Sequence, residues 1–593
     1  MAREQPSPAV KAAKEAQEQV NRCIDKQQSF RLEAGAGAGK TYSLVEALKR
    51  LISERGADYL RRSQKIACIT YTNVAKREIS QDIDEHPAVL VETIHAFCWG
   101  CMKQFQSALR TEVGKLQKHT EKIAEAGGVG NRRIEYDLGY FGIHNDRISL
   151  THDDIPELMA RFLAMPKFQK IFTGSYPVVF IDEYQDTDDE FMTALATHFL
   201  EPKQGPLIGL FGDHWQTIYR DDFDLAALPN VEGIDKGSNF RSVPAVVDLL
   251  NRLRPSLPQV VDDETAIGEA RAFHANSYKG ERTNSPHSKM DTPADITRAY
   301  VAALRHQLEN EGWDFSPEAT KVLMLTHTAL AAEQGYPSIT EIFKSHQDAF
   351  SKLDDATLDF LGRVVEPTCS AYGAKKYGQM FDVLGRAGVL KSPQEKQAWA
   401  EDMKSLDALR ENGTVGEVLD LLKRTRRPRL PDNVSRREDD MAAFDPDAGE
   451  PEKPSVSRHR LLRNVRYQEV VNLVRYVDGF TPFATKHSVK GAQFENVLVI
   501  FGGGWNRYNW PRMLGYMAPG VQVVAAHKAG FNRARNLFYV TVSRPKRRLA
   551  VLFTQTMSDD CLAVLNTLFA NNVAAVTVPD IQVAEEVFFQ SRN

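Results

Sequence analysis

Short apolar, β-branched runs alternate along the chain with longer stretches whose apolar residues recur at helical spacing. That alternation is the pattern of a parallel sheet with crossover helices, so the predicted fold class is α/β. Ser29-Phe-Arg-Leu-Glu33 reads as a strand that runs into a Gly-rich turn and then a helical stretch from Tyr42 to about Glu54. Lys65-Ile-Ala-Cys-Ile-Thr70, Pro177-Val-Val-Phe-Ile181 and Pro206-Leu-Ile-Gly-Leu-Phe211 are apolar enough to be strands buried on both faces. A second set follows at Lys321–Leu325, Asn496–Ile500 and Arg548–Phe553, which predicts two separate α/β units.

Two stretches break the alternation. Residues 102–171 and 336–460 are rich in Lys, Glu, Gln, Ala and Leu, and read as mainly helical insertions. The first core is thus assigned to 1–101 with 172–229, and the second to 230–335 with 461–593. Pro431 to Ser457 is poor in apolar residues and dense in Asp, Glu and Pro, so a disordered loop is expected over 431–457. The basic run Lys423–Arg429 before it reads either as a solvated helix end beside an acidic loop or as a phosphate-binding patch.

Composition narrows the class. The 593 residues point to several domains, and 42% hydrophobic with 26% charged residues excludes wholesale disorder. No apolar run reaches the ~20 residues of a membrane helix. The first residues (MAREQPSPAV) have no apolar core, so no secretory leader is expected and the protein is placed in the cytoplasm without a membrane partner. A net charge of −4 gives no sign of a nucleic-acid partner, although a local basic groove is compatible with it. Six cysteines make no disulfide framework. Cys98-Trp-Gly-Cys101 has redox-type spacing, but no second such pair completes a metal site, and half-buried helix residues are the simpler reading.

The strongest chemical signal is Ala34-Gly35-Ala36-Gly37-Ala38-Gly39-Lys40-Thr41, which follows a predicted strand and opens a predicted helix. Glycines let several N–H groups face one anion, and the helix N-terminus adds partial positive charge. In such a loop Lys40 meets the β and γ phosphates and Thr41 supplies an oxygen to Mg²⁺. Val178-Val-Phe-Ile-Asp182-Glu183 ends a strand in two carboxylates, which suits Asp182 to hold the metal and Glu183 to polarise water. ATP with Mg²⁺ is the expected cofactor pair.

Asp182-Glu-Tyr-Gln-Asp-Thr187 resembles the D-E-[FY]-Q-D-T motif of UvrD/Rep-like superfamily 1 DNA helicases, and the loop resembles that family's AGAGSGKT. Further family-like strings follow in the family's order: Thr70-Tyr-Thr-Asn-Val-Ala75, Thr93-Ile-His-Ala-Phe97, Gly212-Asp-His-Trp-Gln-Thr-Ile-Tyr219, Asn239-Phe-Arg-Ser242, Thr485-Lys-His-Ser-Val-Lys-Gly491 and Leu537-Phe-Tyr-Val-Thr-Val-Ser-Arg544. The resemblance implies two RecA-like P-loop domains with parallel sheets, the first binding ATP. It makes Arg241 and Arg544 the γ-phosphate arginines, reaching over from the second domain, and Gln216 the γ-phosphate sensor. Gln17, with Gln19 close by, is the candidate adenine reader, and Phe240 the base-stacking ring. Tyr71 and Tyr219 match base-stacking positions, with Thr70, Asn73, Thr93, His95 and His487 along the strand's backbone.

Three departures from the family pattern stand out. Tyr42 replaces an Arg near the adenine, and Asp221 replaces a stacking Trp. In Lys490-Gly491-Ala-Gln493-Phe494, which the resemblance puts at the nucleotide, Gln493 replaces a ribose-binding carboxylate. The expected activity is ATP-dependent 3′→5′ translocation on, or unwinding of, single-stranded or tailed DNA, in repair or anti-phage defence. The alternative is a DNA-sensing ATPase switch that activates a partner nuclease and unwinds little. Short insertions, and no nuclease domain expected after the last motif, make the chain similar to the helicase-like subunit of Gabija anti-phage systems. The implied partner is an OLD-family nuclease subunit (GajA-like).

Overall fold

The computed structural model describes residues 6–136, 141–217, 228–284, 289–324, 334–344, 350, 353–385, 392–445, 452–478, 483–485, 492–502 and 508–578. The chain forms two compact units. One comprises Met1–Ala272, Tyr508–Leu549 and Met557–Val573, and the other Phe273–Arg507, Ala550–Thr556 and Ala574–Asn593.

The first unit is built on a six-stranded sheet. Its strands are β1 (Phe30–Ala34), β2 (Ile66–Thr70), β3 (Val89–Thr93), β4 (Val178–Asp182), β5 (Leu207–Gly212) and β6 (Glu232–Lys236), in the order β3-β2-β4-β5-β1-β6. Every pairing in it is parallel. Glu33 pairs with Gly212 and Asp182 with Phe211, so the phosphate loop, the Asp-Glu pair and the Gly-Asp turn all leave the sheet at its carboxyl edge. Helices α1 (Pro8–Asp25), α2 (Lys40–Arg61), α3 (Asn73–Asp82) and α4 (Ile94–Met102) complete the layers.

The predicted strands form where their apolar runs are continuous. β3 and β6 escape the sequence pattern because they are edge strands; in β6 only Ile234 and Lys236 are buried, which leaves no apolar run to read. β6, which follows the first core as read from the sequence, pairs residue by residue with β1. In the centre, the rings of Phe30, Phe180 and Phe211 meet edge to face at 5.4–6.0 Å. Gly209 makes room for them, since a Cβ there would lie 2.6 Å from the Phe180 ring.

The first insertion contains helices, as predicted, and also a small sheet of Arg133–Tyr136, Gly142–Ile143 and Arg147–Leu150. Strands of two to four residues are too short to show alternation. Their Ile134, Ile148 and Leu150 join Leu109 and Leu158 in one apolar cluster. Cys98 is buried and Cys101 half-buried on α4, and burial raises both thiols, Cys101 to about 12. Burial thus disfavours the thiolate that redox or metal chemistry uses.

A second six-stranded sheet is formed by β7 (Glu269–His274), β8 (Thr320–Met324), β9 (Phe483–Thr485), β10 (Phe494–Phe501), β11 (Pro545–Phe553) and β12 (Val573–Ala575), in the order β9-β8-β10-β11-β7-β12. β8 pairs in parallel with both β9 and β10. The loop expected over 431–457 is largely helical: Asp432–Ala443 is a helix, and Pro454–Arg463 begins another. A carboxylate that made this stretch look solvated is paired with residues just beyond it. Glu438 accepts from Arg463 at 2.8 Å and lies 2.7 Å from His459 Nε2, all in a low-exposure setting. Of the expected loop, 446–451 lies outside the described residues. Among the described residues no helix is long and apolar enough to cross a membrane.

The aromatic centre of the first sheet sets a stability expectation. Phe180→Ala should destabilise the first unit by about 3–5 kcal/mol, because the void among three rings cannot collapse without moving β1 and β5. A fall in the urea midpoint checks this, and an unchanged midpoint would show that the sheet relaxes around the gap.

Candidate functional site

β1 ends at Ala34, and residues 35–39 turn the chain into α2. Gly37 (φ 77°) and Gly39 (φ 74°) take left-handed conformations that a side chain would strain. Gly37 is also crowded, since a Cβ there would meet Arg241 Cβ at 2.8 Å and Asn239 Oδ1 at 2.9 Å. No side chain caps the N-terminus of α2, a helix of 22 residues.

Four successive loop carbonyls are held from one side. Asn239 Nδ2 and Gln259 Nε2 each donate to Ala36 O at 3.1 Å, and Phe240 N–H donates to Gly37 O at 3.0 Å. Ser238 Oγ donates to Ala38 O at 3.1 Å, and Lys236 Nζ to Gly39 O at 2.9 Å and Ser43 Oγ at 2.8 Å. With their carbonyls tied back, these peptide units turn their N–H groups away from the brace, as an anion cradle requires. Lys236 is 1% exposed, and burial pushes its ammonium down to about 8. Asn239 also accepts from the N–H groups of Arg241 and Ser242 at 2.9 Å, so one side chain fixes both the loop and the turn that bears Arg241.

Lys40 Nζ lies 3.2 Å from Glu183 Oε2. Burial alone would lower the Lys40 pKa, but the carboxylates of Glu183, Asp213 and Asp182 outweigh it and raise it, so the ammonium stays charged. Glu183 has φ 50°, a left-handed backbone rarely adopted by a residue with a side chain, and it turns the carboxylate off the end of β4 toward the loop lysine. Gln185 Nε2 donates to the same carboxylate oxygen. Among the described residues no three His, Cys, Asp or Glu side chains cluster as a metal site. A Mg²⁺ ion that keeps several waters and takes one or two carboxylates plus phosphate oxygens fits that sparse donor set.

A buried polar chain runs behind the carboxylates. Arg254 donates to Glu33 Oε1 at 2.7 Å and to Asp213 Oδ1 at 2.6 Å, and packs over the Trp215 and Tyr539 rings. Burial would raise Glu33, but His214, Arg254 and Tyr184 hold its carboxyl well below the usual range. Gln216 Nε2 donates to Asp213 Oδ2 at 2.8 Å, and Arg544 Nη2 donates to Gln216 Oε1 at 3.4 Å. Arg544 is 1% exposed, and burial, then the like charge of Arg241, push it down to about 9. Burial lowers Arg241 as well; its Nη1 donates to Ser543 O at 3.0 Å, and its buried Nε has no partner among the described residues.

Arg241 and Arg544, expected from a second domain, belong to the same compact unit as the loop. Tyr42 and Phe240 are 65% and 45% exposed, and an atom placed on Gly39 would touch both, at 3.8 and 3.9 Å. Gln17 is half-buried on α1, and both polar atoms of its amide are buried with no partner among the described residues. That orphaned amide suits a nucleobase edge. Thr41 is the second residue of α2 and half-buried.

The candidate DNA residues divide. Tyr71 is 48% exposed, and Asn73 is exposed at the start of α3, which Thr72 caps. Thr70 is buried and donates to Thr72 O, so it shapes the turn. Thr93 is half-buried at the start of α4, and the His95 ring meets His152 at 4.6 Å. Gln493 is exposed just before β10. Tyr219, His487, Lys490 and Gly491, with Asp221, lie outside the described residues. Sequence reasoning missed Lys236, Ser238, Gln259, Glu33 and Arg254. A carboxylate ending the apolar strand of Glu33 is the one signal that could have pointed to this network.

Residues 16–222 match the model of the AAA domain family. The whole chain is 23% identical to Gabija protein GajB of Bacillus cereus (strain HuB5-5), over 92% of this chain and 96% of that protein. The solved structure of arterivirus nonstructural protein 10, a helicase, aligns with 94% of this chain and 65% of that chain, at 9% identity and a TM-score of 0.25.

Lys236 yields a pH dependence with a definite sign. The native ammonium titrates near 8 and an ordinary lysine near 10.5, so between these values the unfolded chain holds the extra proton and stability rises with pH. The urea midpoint of the wild type should therefore gain on that of Lys236→Met as pH rises through this window. A falling difference would mean that the bonds to Gly39 and Ser43 outweigh burial.

Proposed function

We propose that the protein is an ATP-driven motor of the UvrD/Rep type that translocates 3′→5′ on single-stranded DNA and unwinds tailed duplexes. The observation that carries the reading is the pair Arg241, half-buried, and Arg544, buried, two guanidinium groups that repel each other beside a braced phosphate loop. Such a pair is electrostatically complete only with an anion between it and the loop.

Lys40 and the N–H groups of Gly37, Gly39 and Lys40 bind the β and γ phosphates, and Thr41 and Asp182 would hold Mg²⁺, which neutralises developing phosphate charge when bound. Gln17 reads the adenine edge, while Tyr42 and Phe240 offer rings to its faces. Lys40 neutralises Glu183 in this structure. Phosphate that draws Lys40 away frees Glu183 to orient water and accept its proton as the γ-phosphoryl group passes to that water. Arg241 and Arg544 offset the charge of the transition state, and Gln216 links γ-phosphate to Arg544. On the DNA side, the exposed ring of Tyr71 stacks a base, a contact worth about 1–3 kcal/mol, with Asn73, Thr93 and His95 along the backbone.

A second reading is favoured by the similarity to Gabija protein GajB along nearly the whole chain. In it the same ATPase reports DNA ends to an OLD-family nuclease subunit (GajA-like) in anti-phage defence and separates few strands.

Lys40→Ala and Glu183→Gln should each abolish ATP turnover, with Glu183→Gln keeping nucleotide binding; turnover by either variant overturns the site. Arg241→Ala or Arg544→Ala should slow hydrolysis by about 10³-fold or more, with DNA binding within about twofold. Unwinding of a 3′-tailed but not a 5′-tailed duplex supports the motor. DNA-stimulated hydrolysis without strand separation supports the switch.

A further inference from the structure

Gln216 has an amide whose two ends do opposite things, one donating and one accepting. Which end faces Arg544 matters, because a guanidinium only donates. Asp213 decides it. Its carboxylate only accepts, so Gln216 must turn Nε2 toward Asp213 (2.8 Å), which leaves Oε1 for Arg544 (3.4 Å). Asp213 is itself fully buried, where a carboxylate needs a hydrogen-bonded partner to hold it in place. Arg254 is that partner, donating to Asp213 Oδ1 at 2.6 Å. Arg254 is in turn fixed by Glu33 at 2.7 Å and by the faces of Trp215 and Tyr539. Glu33 closes the relay on the strand that opens into the phosphate loop.

We propose that Arg254 is a positioning residue that sets the hydrogen-bond polarity of Gln216 through Asp213, and so aims Arg544. It acts on Arg544 through two intermediaries, Asp213 and Gln216. The inference deepens the ATPase reading above and rests on Gln216 having the role assigned there.

Asp213→Asn tests the polarity with shape conserved. An asparagine can keep its oxygen on Arg254 and offer its amide N–H to Gln216, which then flips and presents N–H to Arg544. ATPase kcat should fall about 10²-fold, while the affinity for a fluorescent non-hydrolysable ATP analogue stays within about twofold. Arg254→Gln should do the same, and the double variant should be no worse than the poorer single, since both break one relay. If Arg254→Gln does not fold, Glu33→Gln together with Asp213→Asn probes both anchors of Arg254 with the arginine in place, and should match Asp213→Asn. Unchanged kcat in Asp213→Asn, or loss of analogue affinity parallel to kcat, overturns the proposal. Gln216→Ala separates the two layers. If it turns over ATP normally, the assigned role of Gln216 fails and this inference with it. If it is impaired while Asp213→Asn is not, only the positioning role of Arg254 fails.

Discussion

A loop that offers N–H groups to an anion must dispose of its carbonyls. In this protein the carbonyls of Ala36, Gly37, Ala38 and Gly39 are all taken by donors from Lys236 to Gln259. A glycine-rich loop is otherwise costly to order, at roughly 1–2 kcal/mol per residue of backbone entropy. The brace fixes it by backbone and side-chain bonds that use no group facing the anion. β6 exists as a strand on the outer edge of the sheet largely to deliver this brace, since it carries one buried apolar residue and ends in Lys236.

The same segment couples the loop to positive charge. Asn239 holds Ala36 with its amide nitrogen and the Arg241 turn with its oxygen, so the loop and the arginine are neighbours through one planar group. Arg254 extends the coupling to the far side by binding the strand before the loop and the turn before Gln216. Two buried carboxylates share one buried arginine there. Removing that arginine costs more than the bonds it makes, because the charges left behind have no solvent.

Some of this was legible in the sequence and some was not. The loop, the Asp-Glu pair and the Asn-Phe-Arg turn could be read because each concentrates its chemistry in adjacent residues, and the central strands because their apolar runs are unbroken. Arg254 could not be read: it meets Glu33 across 221 positions, and nothing in Asn-Arg-Leu-Arg-Pro distinguishes a buried arginine from a solvated one. Lys236 was hidden by sitting in a strand too polar to notice. The stretch 431–457 misled for the converse reason, since composition counts charges and cannot see that Glu438 is opposite His459 and Arg463.

Glu183 stands where the backbone would favour glycine. Holding a residue with a side chain in the left-handed region costs of the order of 1 kcal/mol or more, and the chain bears that penalty at the end of a strand buried at every position. Selection for stability alone would replace this carboxylate, and selection for turnover alone would keep it. On the role proposed for Glu183, the fold is kept slightly worse at this position so that the chemistry can be better.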